Sequence, residues 1–398
     1  MERVEGVLVA GAGPVALVTA LILARAGVPV DVLEAQPQVE PSPRAIVYHA
    51  PTVALLDRLG LLQDALQDGL LKQDYHYRDG QGRILARLDM AVTAPDTRYP
   101  YNLHLGQDLL GEIVLKHLLA TGRARVHWGQ QVCAAAQDDQ GVEVTARTAG
   151  GERVWRGDWL VGADGARSGV RQALGLAFDG ITWPERFVAV NLHYDFAAHG
   201  YARANFVVDP DDWAIIPVLD QRSGWRVTYG EDAALPEAGV LERLPGRLAR
   251  LLPDPAQSYR IDRVAPYRVH QRSAPSYRVG RVLLAGDAAH ITNPCGGLGL
   301  TSGLLDAAHL GDALAAVVRG AAPDRVLDDY AAERRRIFLE FTSPTASENK
   351  RRLGERDPAR RRADLERLQR LNDDPDLQRQ VLMGTTALQS RPYDFTVV

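Results

Sequence analysis

Lysine is almost missing from this chain: Lys72, Lys116 and Lys350 are all that 398 residues contain. Cysteine is scarcer still. Cys133 and Cys295 stand alone, which leaves no disulfide framework and fits a reducing, cytoplasmic compartment. No sign of charge dominates, since 46 basic residues face 50 acidic ones for a net −4. That balance argues against nucleic acid or an anionic membrane as partner. The longest basic cluster, Lys350-Arg351-Arg352 with Arg360-Arg361-Arg362, is interleaved with acids and reads as a solvated helix face. The apolar run Val15 to Leu23 is too short to span a bilayer, and no basic leader precedes it. Internal repeats, low-complexity linkers and metal-ligand spacings are absent as well. What remains is a chain long enough for two or three domains with a substantial core.

The stretch from Val7 to Glu34 organises the rest. Val7-Leu8-Val9-Ala10 reads as a strand, Gly11-Ala12-Gly13-Pro14-Val15-Ala16 as a glycine turn opening a helix, and Val28 to Glu34 as a second strand. Gly11 lets the chain turn, and Gly13 lets backbone approach a pyrophosphate at the helix N-terminus, where free N–H groups and the dipole favour anions. Ala16 stands where the fingerprint has its third glycine, a position that needs only a small side chain. Glu34 lies about 20 residues after Gly13, the spacing of a ribose-binding carboxylate. The alternative is a plain βαβ unit with a glycine turn.

Further along, the loop Gln36 to Ala45 delivers Arg44 towards the phosphates, where a guanidinium could pair bidentately. Val53 to Leu71 has helical period broken at Gly60, and Tyr75 to Val92 alternates around Asp79-Gly80-Gln81-Gly82, a hairpin signal. Gln107 opens a helix and either faces a cofactor or is solvated. Arg125 to Trp128, Val132 to Ala136, Val142 to Thr148 and Glu152 to Trp155 read as one small antiparallel sheet. A buried strand then ends in Gly162-Ala163-Asp164-Gly165, placing Asp164 beside two glycines. Residues 178–269 are strand-rich, with a helix at Leu241 to Leu252. Finally Val282 to Ala285 meets Gly286-Asp287, followed by Pro294 and Gly296-Gly297-Leu298-Gly299-Leu300 before a long helix. Asp287, at a strand tip, could accept from a ribityl or ribose hydroxyl. The rest, to Leu382, is amphipathic helix with a packing or oligomerisation role, which leaves a homodimer open.

The ordered set Gly11-Ala12-Gly13-Pro14-Val15-Ala16 with Glu34, Asp164-Gly165-Ala166-Arg167-Ser168, and Gly286-Asp287-Ala288-Ala289-His290 with Pro294 and Gly299 resembles the single-component FAD-dependent aromatic hydroxylases of the para-hydroxybenzoate hydroxylase type. The resemblance implies an α/β fold: a Rossmann-like FAD-binding domain (1–73, 98–177 and 270–330), a largely antiparallel β-sheet substrate domain (74–97 and 178–269) and a C-terminal helical segment (331–398). It implies FAD as cofactor, NADPH or NADH as co-substrate, and O2 and a small aromatic molecule as the other partners. By position, Glu34 takes ribose, Arg44 and Gln107 contact FAD, Asp164 belongs to the motif serving FAD and NAD(P)H, and Asp287 meets the ribityl chain. Pro294 offers its carbonyl near the substrate hydroxyl, and Gly297, Leu298, Gly299 and Leu300 line the flavin ring. The larger phenol hydroxylases carry a thioredoxin-like C-terminal domain, which is not expected here.

A finer likeness, in Phe178-Asp179-Gly180-Ile181-Thr182-Trp183, Asp211-Asp212-Trp213-Ala214, Pro266 to Arg272 and Phe341 to Ala346, points to the para-nitrophenol 4-monooxygenases, with the 6-hydroxy-3-succinoylpyridine hydroxylases second. Oxygen activated at flavin C4a attacks an electron-rich ring, so the site needs a group that favours loss of the phenol proton. The candidates are His193, as proton relay, with Tyr194, Arg203 and Asn205 against the substrate. Two rivals stand against this reading. A flavin-dependent halogenase would carry W-x-W-x-I-P, but Asp212 and Ala214 occupy the tryptophan positions before Ile216-Pro217. A non-catalytic FAD-binding protein would have no use for the intact Gly286 to Gly299 stretch.

Overall fold

The computed structural model describes residues 2–219 and 224–393, so the last residues of the expected C-terminal segment lie outside it. Its first layer is a sheet in the order Arg278–Val279, Val282–Leu284, Trp159–Gly162, Val7–Ala10, Val30–Glu34, Ala124–Trp128. Its strands pair in parallel, apart from the edge strand Arg278–Val279. Helices cover one face and the small antiparallel sheet within residues 131–157 the other, which is why Val7–Ala10 and Val282–Leu284 are apolar throughout rather than alternating. The helix Pro14–Arg25 lies on one face against Leu298–Val318. Their approach is close because glycine faces the contact: a Cβ on Gly311 would meet Ile22 Cγ2 at 2.8 Å, and one on Gly303 would meet Val15 Cγ2 at 2.8 Å.

Register brings the important tips level. Ala10 pairs with Gly162, and Gly162 with Leu284, so three strands end side by side. The N–H of Ala163 bonds to Ala10 O and that of Ala285 to Gly162 O, carrying the alignment into the turns.

One expected sheet is redrawn. Ala124–Trp128 does not join the antiparallel sheet but extends the parallel one beside Val30–Glu34. The helix Gln107–Ala120 precedes it, and a helix followed by a strand is a crossover that returns the chain to the same sheet. Buried Asp31 fixes the pairing by accepting from Arg125 Nε at 3.0 Å and His127 Nε2 at 2.6 Å. The edge of the small sheet, Gln131–Asp138, Gly141–Thr148 and Gly151–Gly157, is taken instead by Glu2–Arg3.

The second layer is a larger sheet in the order His290–Ile291, Arg260–Ser273, Asp179–His193, Gly224–Asp232, Ala214–Pro217, Ala204–Val208, Asp74–Asp79, Ile84–Asp89. The hairpin near residue 80 adds its last two strands, as the alternation predicts. The long strand Arg260–Ser273 runs through the expected boundary at 269 and ties the two layers together. The helix Val240–Leu251 seals the outer face, where Leu244, Leu248 and Leu251 pack on Tyr194, Trp225 and Val227. The inner face looks towards the parallel sheet. The C-terminal helices Ser343–Leu353 and Pro358–Asp373 close the remaining side. Among the described residues, no helix is long and apolar enough to cross a membrane, and no group of His, Cys, Asp or Glu could hold a metal ion.

Candidate active site

Between the layers lies a cavity of about 2250 Å³. Its parallel-sheet end is built mostly from backbone. Gly11 turns with φ +99°, and a Cβ there would come within 2.5 Å of Ala163 O. The helix Pro14–Arg25 starts at Gly13 and Leu298–Val318 at Gly297, and neither N-terminus has a side-chain cap. Two uncapped helix N-termini therefore open on one cavity, offering N–H groups and positive potential to an elongated anionic ligand.

Side chains complete this end. Glu34 accepts from the N–H of Ala12 at 2.6 Å and of Gln36 at 2.7 Å, pinning its strand tip to the glycine turn while it lines the cavity. One Asp164 oxygen accepts from the N–H of Gly169 at 2.7 Å and Val170 at 3.2 Å; the other is buried and has no partner. Burial raises the Asp164 pKa above the usual carboxylate value. Asp287 opens its carboxylate to the cavity while protein rings it, and that burial raises its pKa, with His290 and Arg44 pulling the other way. Arg44 lines the wall as an exposed guanidinium 3.6 Å from Glu40. Gln107 lines it too, its amide oxygen taking the Ala45 N–H at 3.3 Å. Pro14, Pro294, Leu298, Gly299 and Leu300 complete that wall. The Pro294 carbonyl already accepts the Gly297 N–H at 3.0 Å, leaving one lone pair for a ligand.

Two expected contacts are displaced. Ala16 is fully buried in the helix-to-sheet packing, and Gly286 does not line the cavity. Gly286 turns with φ +57° against Val15 and gives its N–H to buried Asp306 at 3.0 Å. Both are needed for close packing beneath the site rather than for contact with a ligand.

The larger-sheet end departs further from expectation. None of His193, Tyr194, Arg203 and Asn205 lines the cavity among the described residues. His193 sits at the strand end with Nε2 2.6 Å from Asp262, a contact at the surface. Tyr194 points to the other face of the sheet, into the core beneath Val240–Leu251, and its hydroxyl donates to Asp254 O at 3.1 Å. Arg203 reaches the Leu71 carbonyl. Asn205 is fully buried and serves backbone alone: its amide donates to Ala202 O and Ile216 O, and its oxygen takes the Ala202 N–H. A strand alternates faces, so a polar residue found within one has an even chance of pointing away from the site.

The polar wall comes from elsewhere: His49, Tyr75, Asn102 and His104. Asn102 donates to His49 Nδ1 at 3.2 Å and also to the Tyr75 hydroxyl oxygen. His49 Nε2 lies 2.8 Å from Gly296 O and so carries the hydrogen, which makes the ring neutral. Burial lowers its pKa to about 4. His104 donates from Nδ1 to Val218 O at 3.0 Å, leaving Nε2 a bare acceptor, and burial takes its pKa to about 3. Asn102 and His104 are alternate residues of one short strand, hence on one face. Two polar residues at that spacing in an otherwise apolar return is the signal that could have found them. Apolar Met90, Phe206, Val208, Ile215 and Pro217 surround this group, and Phe341, Pro344 and Leu368 from the C-terminal segment close it. That segment, read from sequence as serving packing or oligomerisation, forms one wall of the cavity.

Residues 5–343 match the family described as FAD binding domain. The chain is 50% identical, over 98% of its length and 98% of the relative's, to para-nitrophenol 4-monooxygenase of Pseudomonas sp. (strain WBC-3). It is 42% identical, over 90% of its length and 91% of the relative's, to 6-hydroxy-3-succinoylpyridine 3-monooxygenase HspB of Pseudomonas putida (strain DSM 28022 / S16). The crystal structure of p-nitrophenol 4-monooxygenase PnpA from Pseudomonas putida DLL-E4 superposes with a TM-score of 0.96 at 49% identity, covering 99% of this chain and all of that one.

Proposed function

Because this chain belongs to the FAD binding domain family, we propose that it is an FAD- and NAD(P)H-dependent monooxygenase that hydroxylates a para-substituted phenol such as para-nitrophenol at the substituent-bearing carbon, releasing nitrite and a quinone. The observation that carries this reading is the convergence of three glycine-bearing strand tips and two uncapped helix N-termini on one cavity whose far end is apolar with a few polar groups.

The residues fit FAD. Glu34 would hold the ribose, Arg44 and the N–H groups after Gly13 the pyrophosphate, and Asp287 the ribityl chain. Asp164 has an unpartnered oxygen for a hydroxyl. Gly297 to Leu300 would offer backbone donors to the ring. When bound and reduced by NAD(P)H, FAD activates O2 for attack on the substrate ring.

The chain's own groups do the rest. The bare Nε2 of His104 accepts a hydrogen bond from the substrate hydroxyl and orients it, and the Tyr75 hydroxyl, whose oxygen already accepts from Asn102, keeps its hydrogen to give. Phe206, Val208, Ile215 and the C-terminal Phe341 and Pro344 keep water from the reacting atoms. The hydroxypyridine reading is favoured by the same wall, where the Tyr75 hydroxyl offers a donor and His104 Nε2 an acceptor to a pyridinol. Two free cysteines suit a reducing compartment, which supports a cytoplasmic reading.

The test is a panel of para-substituted phenols and hydroxypyridines, scored for NAD(P)H consumption, nitrite and hydroxylated product. Stimulated consumption with nitrite from para-nitrophenol is the expected result. A protein that stays colourless with added FAD, or whose NAD(P)H oxidation no member stimulates, would sink the proposal.

A further inference from the structure

The three lysines have different surroundings. Lys116 is a surface residue with 78% of its side chain exposed. Lys350 is buried but paired, its Nζ 2.6 Å from Glu185. Lys72 is fully buried, and among the described residues its Nζ has neither an ion pair nor a hydrogen bond. It ends the strand Leu70–Lys72, which pairs in register with Asn102 of the polar wall. Its ammonium lies over the ring of Tyr75, a residue that lines the cavity.

A buried ammonium without a partner is costly, and chains of this size retain very few. The groups around it do not balance the charge. Asp74 acts on it from a distance without forming an ion pair, and His49 and His104 are neutral rings that its charge keeps so. Arg203, which bears on His104, adds a second positive charge. Burial accordingly holds the Lys72 pKa well below the ordinary lysine value. The site is thus short of one negative charge, and the shortage lies just behind the wall that Tyr75, Asn102 and His104 present to the cavity. The Tyr75 hydroxyl accepts from Asn102, so its hydrogen remains for an acceptor inside the cavity, and a positive charge behind the ring strengthens that donor.

We propose that Lys72 is the buried counter-charge for an anionic oxygen, phenolate or carboxylate, that the aromatic substrate brings against the Tyr75 hydroxyl. Lys72 is a positioning residue: it acts through the Tyr75 ring and selects the ionised form of the ligand. The inference rests on the proposed function only for the aromatic nature of the ligand.

The test titrates the FAD-loaded wild type and Lys72→Met with para-nitrophenolate, para-nitrobenzoate and uncharged para-nitroaniline in mildly alkaline buffer, read by flavin fluorescence. The variant is expected to lose about tenfold in affinity for one or both anions while para-nitroaniline stays within about twofold. The anion that loses affinity identifies the oxygen. Equal affinities of wild type and variant for both anions would overturn the inference. A melting curve separates this role from plain support. Removing an unpaired buried charge should leave flavin content unchanged and raise the melting temperature, whereas loss of a structural prop would lower it. If Lys72→Met is isolated without flavin, Lys72→Gln, which keeps the stem and a polar end without charge, repeats the titration with the same two outcomes. Failure of the phenol and pyridinol panel in the wild type would remove the monooxygenase reading while leaving the anion comparison readable.

Discussion

The two ends of the cavity are made by different means. The parallel-sheet end uses backbone: strand tips, helix N-termini and glycines, with a few carboxylates at defined distances along the chain. The larger-sheet end uses side chains from the strands Asp74–Asp79 and Asn102–His104 and from the C-terminal helices, brought together only by the complete fold. The first arrangement tolerates no extra atom at a few points, yet makes few demands elsewhere. The second has no fixed spacing. The comparison predicts that mutations at the two ends separate cleanly, with flavin content answering to one end and substrate turnover to the other.

The largest effect belongs to the first end. Asp287→Ala should fold yet be isolated largely without yellow colour, because no other cavity-facing carboxylate stands at that strand tip. Mutant protein with full flavin content would break the assignment. Gly11→Ala comes next. Its Cβ would lie 2.5 Å from Ala163 O at a φ of +99°, so the turn must open, at a cost of about 2–4 kcal/mol. Denaturant midpoint and flavin content should fall together; a loss of flavin with no change in midpoint would contradict a role through the turn.

At the second end, His104→Leu should keep its flavin and lose about tenfold to a hundredfold in kcat/KM on phenols, the range of a lost buried hydrogen bond to the reacting hydroxyl. Unchanged kcat/KM would remove His104 from the site. The same wall gives a pH signature. His49 and His104 have folded pKa values of about 4 and about 3, below the unfolded value of 6.5. The unfolded chain therefore binds more protons below pH 6.5, and the stability these neutral rings contribute is intact above that pH. It is lost as pH falls towards 4, by at most about 1.4 kcal/mol per pH unit for each ring. The melting temperature of His104→Leu should fall less steeply over that interval than that of the wild type; parallel slopes would refute a buried, neutral His104.

The same division explains what was legible in the sequence. Gly11, Gly13, Glu34, Asp164 and Asp287 were readable because a strand-turn-helix unit fixes spacing: a glycine that must turn or an acid that must end a strand has one place to be. Burial of whole strands, such as Val282–Leu284, was readable for the same reason. The partner of Ala124–Trp128 was not, since alternation within a strand does not name its neighbour. The substrate wall was unreadable for a further reason. His49, Lys72, Asn102 and His104 belong to short strands of a three-stranded sheet outside the expected substrate segment, or to the turn beside it. Nothing local to Phe341 or Leu368 says that the C-terminal helices fold back on the cavity.

The smallest expected effect tests the correction itself. His193 has a histidine's usual credentials for proton relay and lies on the same strand as Ala189 and Asn191, both of which line the cavity. Its side chain shares their face, two residues further on, but by then the strand has left the cavity for the surface, where Asp262 takes its ring nitrogen. The pair is partly exposed, with 33% of the histidine and 47% of the aspartate accessible, so it contributes at most about 1 kcal/mol. His193→Ala should therefore keep its flavin, its kcat within about twofold of wild type and an unshifted pH profile. If product formation is lost while flavin reduction survives, His193 moves into the site in the working enzyme, and the boundary drawn between cavity and surface along this strand is wrong.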